Sequence, residues 1–542
     1  MAAASPIVDT LAPTHGSLKT LRRRYVTAPR GRLKAGSWTI ASMQPLEPWG
    51  PPDGYRADRA TPLDDAGAGE AEALLWRVAD ILRGGLDVSE YREFVLGLIF
   101  LRYASEAFDE HRRELATHLA AEGVTDELVD DRVEERATFD RAGALWVPEY
   151  ARWSWIAARA EGRSVARRLD EAMEALMRSN RTLADALPVV YRRGGMDDGR
   201  LAELVELVGD IRFDDARRSP KETLGDVYEY FLAGFAQVSS TPGGGFHTPR
   251  SVVRLMVALV EPGAGLLYDP ACGTGGMFVE ASAYARATRG PDTDLRFRGH
   301  ESDQRTWRLA RMNLTVHGID GRADVRWRDT LKVDKSPRRK SDFVLTAPPR
   351  DTSPTIWLRH VYENLDARGT GCLLLPNGFF NSSSKARAEL LERDLIAGVI
   401  ALPSRLFGSP KTSASLWVLS GDKGRQEDRR LAERRGEILF VDAREAGTMV
   451  DRSQRVLTQA DLTRISETYH AWRGTASAQA KGLAYADVPG FCATEGLARV
   501  RQHNYLLSPS RYTHPETAGR PTPRGVRVDL ASLTRDLYSL FD

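Results

Sequence analysis

The sequence predicts an open, doubly wound α/β sheet behind an all-α domain, with a mainly helical segment after it. Two patterns carry this expectation. Between about 245 and 445, β-like runs at 266–269, 296–301, 324–328, 342–346, 372–376, 397–402, 415–420 and 437–441 alternate with helical stretches. That alternation builds a mostly parallel, Rossmann-like sheet whose ligands lie at the carboxyl ends of its strands. From about 70 to 236, apolar residues recur at helical spacing instead.

A chain of 542 residues is long enough for two or three domains with large cores. A hydrophobic content of 42% with 28% charged residues is that of an ordinary globular protein. No apolar run reaches the ~18 residues of a membrane span, and the N-terminus has no apolar signal-peptide core. Three cysteines, Cys272, Cys372 and Cys492, lie far apart without metal-ligand spacing. They predict a reducing, cytoplasmic setting and no zinc site. A net charge of +2 neither supports nor excludes nucleic-acid binding, which depends on clustered charge.

Residues 1–66 read as a disordered basic arm. Prolines are scattered among Gly, Ser and Ala, and Lys19, Arg22, Arg23, Arg24, Arg30, Arg32 and Lys34 face only Asp9 before residue 45. Met43 is an alternative start. Residues 67–238 read as the helical domain. Leu74, Leu75, Val78, Ile81 and Leu82 share one helix face, and Gly84-Gly85 ends that helix. Asp87 can cap the next helix, whose core positions are Phe94, Val95, Leu98, Ile99 and Leu101. Leu224, Val227, Tyr228 and Phe231 mark another helix. The sheet domain is assigned 239–445, and 446–542 forms the C-terminal segment for subunit contact.

The most specific string is Asp269-Pro270-Ala271-Cys272-Gly273-Thr274-Gly275-Gly276-Met277-Phe278, between an apolar strand and a helix-like run. Glycines there let bare amides approach a ligand, because they accept positive φ and carry no side chain. With its flanks, the string resembles the AdoMet-binding motif of type I restriction–modification methyltransferase (modification) subunits. The segments 74–82, 91–103 and 226–232 resemble the N-terminal helical domain of that family. Leu374–Gly378, Val399–Phe407, Ala414–Leu419 and Asn504–Tyr512 resemble its later motifs.

The resemblance implies an AdoMet-dependent DNA methyltransferase acting on the exocyclic amine (N6) of adenine. It also implies DNA, a specificity subunit, a restriction subunit and two copies of this chain per complex as partners. It puts Phe246, His247 and Thr248 at the methionine end of AdoMet, although Gly245 and His247 depart from the usual Glu-Phe-Tyr-Thr-Pro. Thr248 reads as a helix cap and Pro249 as the first turn, with a helix over 251–260. Asp269, at the first strand end, can bond the cofactor's ammonium, and the amides around Ala271, Gly273, Gly275, Gly276 and Met277 can approach its backbone. Glu301, followed by Ser302, can accept both ribose hydroxyls. Asp329, after the third strand, can accept from the adenine amine. The 32-residue step from Asp269 to Glu301 (301 − 269) and the lack of a phosphate to cradle suit AdoMet better than NAD.

The family's catalytic Asn-Pro-Pro-Phe aligns with Ala347-Pro348-Pro349-Arg350. In that motif the Asn and first-proline carbonyls accept the two protons of a weakly nucleophilic amine, while the aromatic ring stacks on a flipped base. Ala347 has no acceptor, the Pro348 carbonyl remains, and Arg350 is a different stacking platform. The stretch from Arg350 to Trp357 is also short for a substrate-side loop. The same residues fit a second expectation: an AdoMet-binding, DNA-binding or assembly subunit with impaired or lost methyl transfer.

Overall fold

The computed structural model describes residues 77–78, 81–82, 88–161, 164–211, 219–238, 248–332, 340–380, 385–407, 413–450 and 454–514. The basic arm, Leu74, Leu75, Gly84-Gly85, Asp87, Phe246 and His247 lie outside them.

The N-terminal part is helical, as its periodicity requires. Its main elements are α1 (Val88–Ala121), α2 (Val165–Ser179), α3 (Asp198–Gly209) and α4 (Pro220–Val238). Phe94, Val95, Leu98, Ile99 and Leu101 on α1 and Leu224, Val227, Tyr228 and Phe231 on α4 are buried together. Asp197 caps α3 by accepting from the Arg200 amide at 3.0 Å.

Strands β1 (Gly265–Asp269), β2 (Leu295–Glu301), β3 (Ala323–Trp327), β4 (Ser341–Thr346), β5 (Leu365–Pro376), β6 (Ile396–Ala401), β7 (Ala414–Ser420) and β8 (Glu437–Asp442) follow the expected runs closely. The short ribbon β9 (Thr448–Met449) and β10 (Arg455–Val456) and the strand β11 (Cys492–Gly496) come after them. The sheet order is β11-β8-β6-β7-β5-β4-β1-β2-β3. It is mostly parallel, with β7 antiparallel to β5 and β6, and β11 antiparallel to β8. The strand order turns at β1 and β4, where a doubly wound sheet opens its ligand crevice.

Helices cover both faces. On one side α5 (Arg250–Val260), α6 (Gly276–Arg289) and α7 (Gln304–Val316) pack with the late helix Gln459–Arg473. On the other lies α8 (Pro354–Asn364), joined by Val500, Leu507 and Tyr512 from the C-terminal end. The segment after 446 is therefore more than a helical tail. It adds β11 to the sheet edge, because Cys492 and Ala493 are buried there against β8. Within Asn504–Tyr512, the Tyr512 ring stacks 4.1 Å from that of Phe440 on β8.

Helix α7 belongs to both cores. Leu309, Met312 and Val316 pack with the helical part, while Trp307, Ala310 and Leu314 face the sheet. The Tyr103 hydroxyl donates to the Val316 carbonyl at 3.0 Å, and Glu93 pairs with Arg305 and Arg308. Just past α7, half-buried His317 meets Glu229 of α4, which also pairs with Arg250 of α5.

Candidate active site

The site grows from the carboxyl ends of β1, β2 and β3, which lie side by side. Leu266 to Asp269 are buried on both sheet faces, and the chain leaves β1 through the glycine turn. Gly273 and Gly275 have φ of 55° and 82°, and Gly275 is the residue before α6. A Cβ at Gly273 or Gly276 would meet nothing within 4 Å, so the turn presents its backbone to open space. Gly299 is glycine for the opposite reason: a Cβ there would lie 2.9 Å from Phe278 and 3.1 Å from the Cys272 sulfur.

Asp269 is 1% exposed, and its Oδ1 accepts from the Ala271 amide at 3.0 Å. Burial pushes its carboxyl up to about 7; the Ala271 amide and the Thr346 hydroxyl oppose the rise, and nearby Glu301 adds to it. Glu301 accepts from the Gly273 amide at 3.1 Å and the Asp303 amide at 2.8 Å. Burial raises its carboxyl as well, while those amides hold it down. A direct bond thus ties the β2 acid to the glycine turn. Ser302 is exposed, and its carbonyl accepts from the indole of Trp327 at 3.0 Å. Asp329 lies two residues beyond β3, accepting from the Leu331 amide and pairing with Lys332, both at 3.0 Å.

One sequence expectation needs correction. Thr248 does not cap α5. The helix begins at Arg250, so Pro249 occupies the cap position and no side chain caps it. Met277 is 5% exposed with its side chain packed in the core, which leaves its amide, the group the sequence reading named.

β4 ends at Thr346, and Ala347-Pro348-Pro349-Arg350 runs beside this crevice. A shallow, solvent-open recess lies there, walled by Pro348, Pro349, Arg350, Trp357, Pro376 and Ala414 among others. The Arg350 guanidinium sits 5.1 Å from the centre of the Phe407 ring. Thr352 donates to the Pro349 carbonyl at 2.9 Å and accepts from the Trp357 indole at 2.5 Å. The sequence reading gave no site role to Thr352, Trp357 or Phe407; the first two belong to no local motif, and Phe407 was read only as the end of the Val399–Phe407 segment. Only the strand ends bring them together.

The family model for N-6 DNA methylases matches residues 219–353 and 348–520, more than half of the chain. The chain belongs to the N-6 DNA methylase family. The model for the HsdM N-terminal domain matches residues 71–208, ahead of the methylase match. This N-6 DNA methylase is a type I restriction–modification methylase subunit, in an AdoMet-dependent family. It is similar to the type I restriction enzyme HindI methylase subunit of Haemophilus influenzae, at 31% identity over 64% of this chain and 82% of that one. The MjaIX methylase subunit of Methanocaldococcus jannaschii is 28% identical over 87% and 88% of the two chains. Among solved structures, a type I methyltransferase subunit from Streptococcus thermophilus shares the fold, with a TM-score of 0.62 at 20% identity, over 82% of this chain and 99% of that one. Among the described residues, no helix is long and apolar enough to cross a membrane and no group of side chains could hold a metal ion.

Proposed function

We propose that this subunit binds AdoMet across the ends of β1, β2 and β3 and directs its methyl group to the N6 amine of an adenine held beside Pro348. The observation that carries the reading is the row of acids on adjacent parallel strands, Asp269, Glu301 and Asp329, around an open glycine turn. The residues fit the cofactor. Asp269 is a buried carboxylate lacking a cation, and an ammonium would satisfy it. Glu301 reaches the crevice with one carboxylate already anchored to the turn, as a ribose acceptor requires. Asp329 is in position to accept from an adenine amine. Ala271, Gly273, Gly275, Gly276 and Met277 contribute backbone, and the resemblance assigns Phe246, His247 and Thr248 to the methionine side, the first two lying outside the described residues. AdoMet supplies an electrophilic methyl on a sulfonium.

At the other end the Pro348 carbonyl accepts one amine proton. Thr352 occupies the Pro349 carbonyl, so that oxygen is already engaged. Ala347 offers none. Arg350, braced on Phe407, is a planar cation that can stack on a base or meet a phosphate. The partners in this reading are DNA, a specificity subunit that selects the sequence, and a restriction subunit, with two methylase copies per complex. The boundaries 67–238, 239–445 and 446–542 describe the division of labour between DNA and subunit holding, methyl transfer and assembly, with α7 shared between the first two.

A second reading follows from Ala347 and Arg350: an AdoMet-binding assembly subunit whose methyl transfer is impaired or lost. The discriminating experiment is labelled-methyl incorporation into duplex DNA by the complex with its specificity subunit. Incorporation by the wild-type chain supports the first reading. Incorporation only by an Ala347→Asn, Arg350→Phe variant supports the second.

A further inference from the structure

Beneath the crevice lies a polar chain that no part of the cofactor reading uses. It starts at the Pro270 carbonyl in the glycine turn, which accepts from the Thr330 hydroxyl at 2.5 Å. The Thr330 oxygen is 3.2 Å from His300 Nδ1 on β2. The same Nδ1 is 3.1 Å from the hydroxyl of Tyr268 on β1, and that hydroxyl is 3.1 Å from His360 Nε2 on α8. Asn364 Nδ2 approaches His360 Nε2 at 3.3 Å. One turn earlier on α8, the Trp357 indole donates to Thr352, which donates to the Pro349 carbonyl. The hydrogen-bonded chain thus runs from the glycine turn to His360 and Asn364, and helix α8, which also carries Trp357 with its ring 6.3 Å from that of His360, connects it to the Pro349 loop.

Counting protons fixes its direction. Thr330 has one hydroxyl proton and gives it to the Pro270 carbonyl, which can only accept. Toward His300, Thr330 is then the acceptor, so Nδ1 carries the hydrogen. Tyr268 receives a share of that hydrogen and gives its own proton to His360 Nε2. His360 Nε2 is thus a bare acceptor, as its amide neighbour Asn364 also requires. Both imidazoles are neutral in this arrangement, and burial pushes each down to about 4. Each ring has one tautomer, so each has one orientation. The Tyr268 ring is itself clamped by the Arg298 guanidinium 4.2 Å from its centre, so the hydroxyl has little freedom.

We propose that Tyr268 is a positioning residue for methyl transfer: its hydroxyl, bridging His300 and His360, holds the glycine turn and the Pro348–Arg350 loop in register. The proposal rests on the cofactor and substrate ends assigned above. In-line transfer needs donor and acceptor aligned to a fraction of an ångström, and those two loops carry one each. Tyr268→Phe keeps the ring and removes only the bridge.

The test uses the full chain labelled with 5-fluorotryptophan, with the Trp357 resonance identified by its loss in Trp357→Phe. S-adenosylhomocysteine is the probe, and its affinity is measured separately by calorimetry. In the wild-type chain the probe shifts the Trp357 fluorine signal. In Tyr268→Phe the probe still binds, within about threefold, and the shift disappears. In the complex with DNA, the same variant lowers kcat about tenfold with little change in the KM for AdoMet. An identical fluorine shift in both chains overturns the proposal. So does a loss of probe affinity that accounts for the whole kinetic effect, since Tyr268 would then be a wall of the cofactor site. Absence of probe binding to the wild-type chain sinks the cofactor reading and this proposal with it, and calorimetry identifies that case directly.

Discussion

Asp269 gives the sharpest test of the cofactor end. Its carboxyl titrates near 7 in the free chain because it is buried at the end of β1 with Glu301 close by. Only the ionised form pairs with the ammonium of AdoMet or S-adenosylhomocysteine. Binding below pH 7 must therefore expel a proton, and affinity falls with pH. With the carboxylate ionised throughout in the complex, the factor is (1 + 10^(7 − pH)). Kd at pH 6 is then about tenfold weaker than at pH 8, with ~0.9 proton released per molecule bound at pH 6 and ~0.1 at pH 8. Calorimetry in buffers of different ionisation enthalpy measures both quantities. Asp269→Asn should weaken binding at pH 8 and abolish the slope. An unchanged Kd between pH 6 and 8, or a slope that survives in Asp269→Asn, refutes the assignment. The free chain has the opposite dependence. The folded value lies above the ordinary carboxylate value near 4, so the stability the group contributes is present below that and is lost as pH rises through about 7. Ligand should restore it at high pH.

Three further perturbations follow. Ala347→Asn restores an acceptor to the amine, which develops charge during transfer. One such bond contributes about 2–3 kcal/mol, so methyl incorporation should rise roughly 30- to 150-fold, and no rise means that a side-chain acceptor at position 347 does not limit transfer. Gly299→Ala forces a methyl against Phe278 and the Cys272 sulfur, which should cost about 1–3 kcal/mol of unfolding free energy, read from urea titration. His317 faces the Asn313 carbonyl through Nδ1 at 2.8 Å and the Glu229 carboxylate through Nε2. Two acceptors require an imidazolium. Burial works against that charge, but Glu229 outweighs it and raises the group. The stability it contributes is present below its ordinary value near 6.5 and is lost as pH rises through the folded value. Glu229→Gln should bring that alkaline loss of melting temperature to lower pH.

The sheet was readable because its strands are short, apolar and bounded by turn residues, and all eight expected runs became strands. β11 was not readable. Cys492-Ala493-Thr494-Glu495-Gly496 has no apolar alternation, and it is a strand only because β8 offers an unpaired edge. The proposed cofactor end was legible as a string, and the structure sets its Asp269–Gly276 turn and Glu301 at the ends of the neighbouring strands β1 and β2. The Thr248 cap failed because Pro249 took the half-helical position, with φ −55° and ψ 141°, and left Thr248 outside the helix. His300 and His360 are 60 residues apart (360 − 300), and each reads as a solitary polar residue. Their meeting at Tyr268 depends on β2 and α8 flanking β1, a tertiary fact without a local signature.

The two ends of the crevice carry different physical costs. A buried carboxylate pushed to about 7 destabilises the free chain at neutral pH, and the left-handed Gly273 and Gly275 leave the turn's backbone bare. Such features are unfavourable until a ligand with a cation and a close-fitting backbone contact is bound, so they argue for a working cofactor end. At the acceptor end the comparable features are weaker. The Pro349 carbonyl is taken by Thr352, Ala347 has nothing to offer, and Arg350 rests on Phe407. Cofactor binding and methyl transfer are therefore separable in this chain. A chain that binds S-adenosylhomocysteine with the pH slope above, yet transfers methyl groups only after Ala347→Asn, would place the whole deficit in one missing hydrogen-bond acceptor. Equal transfer before and after that substitution would instead mean that the Pro348 carbonyl suffices, and that Arg350 on Phe407 does the work of the missing aromatic residue.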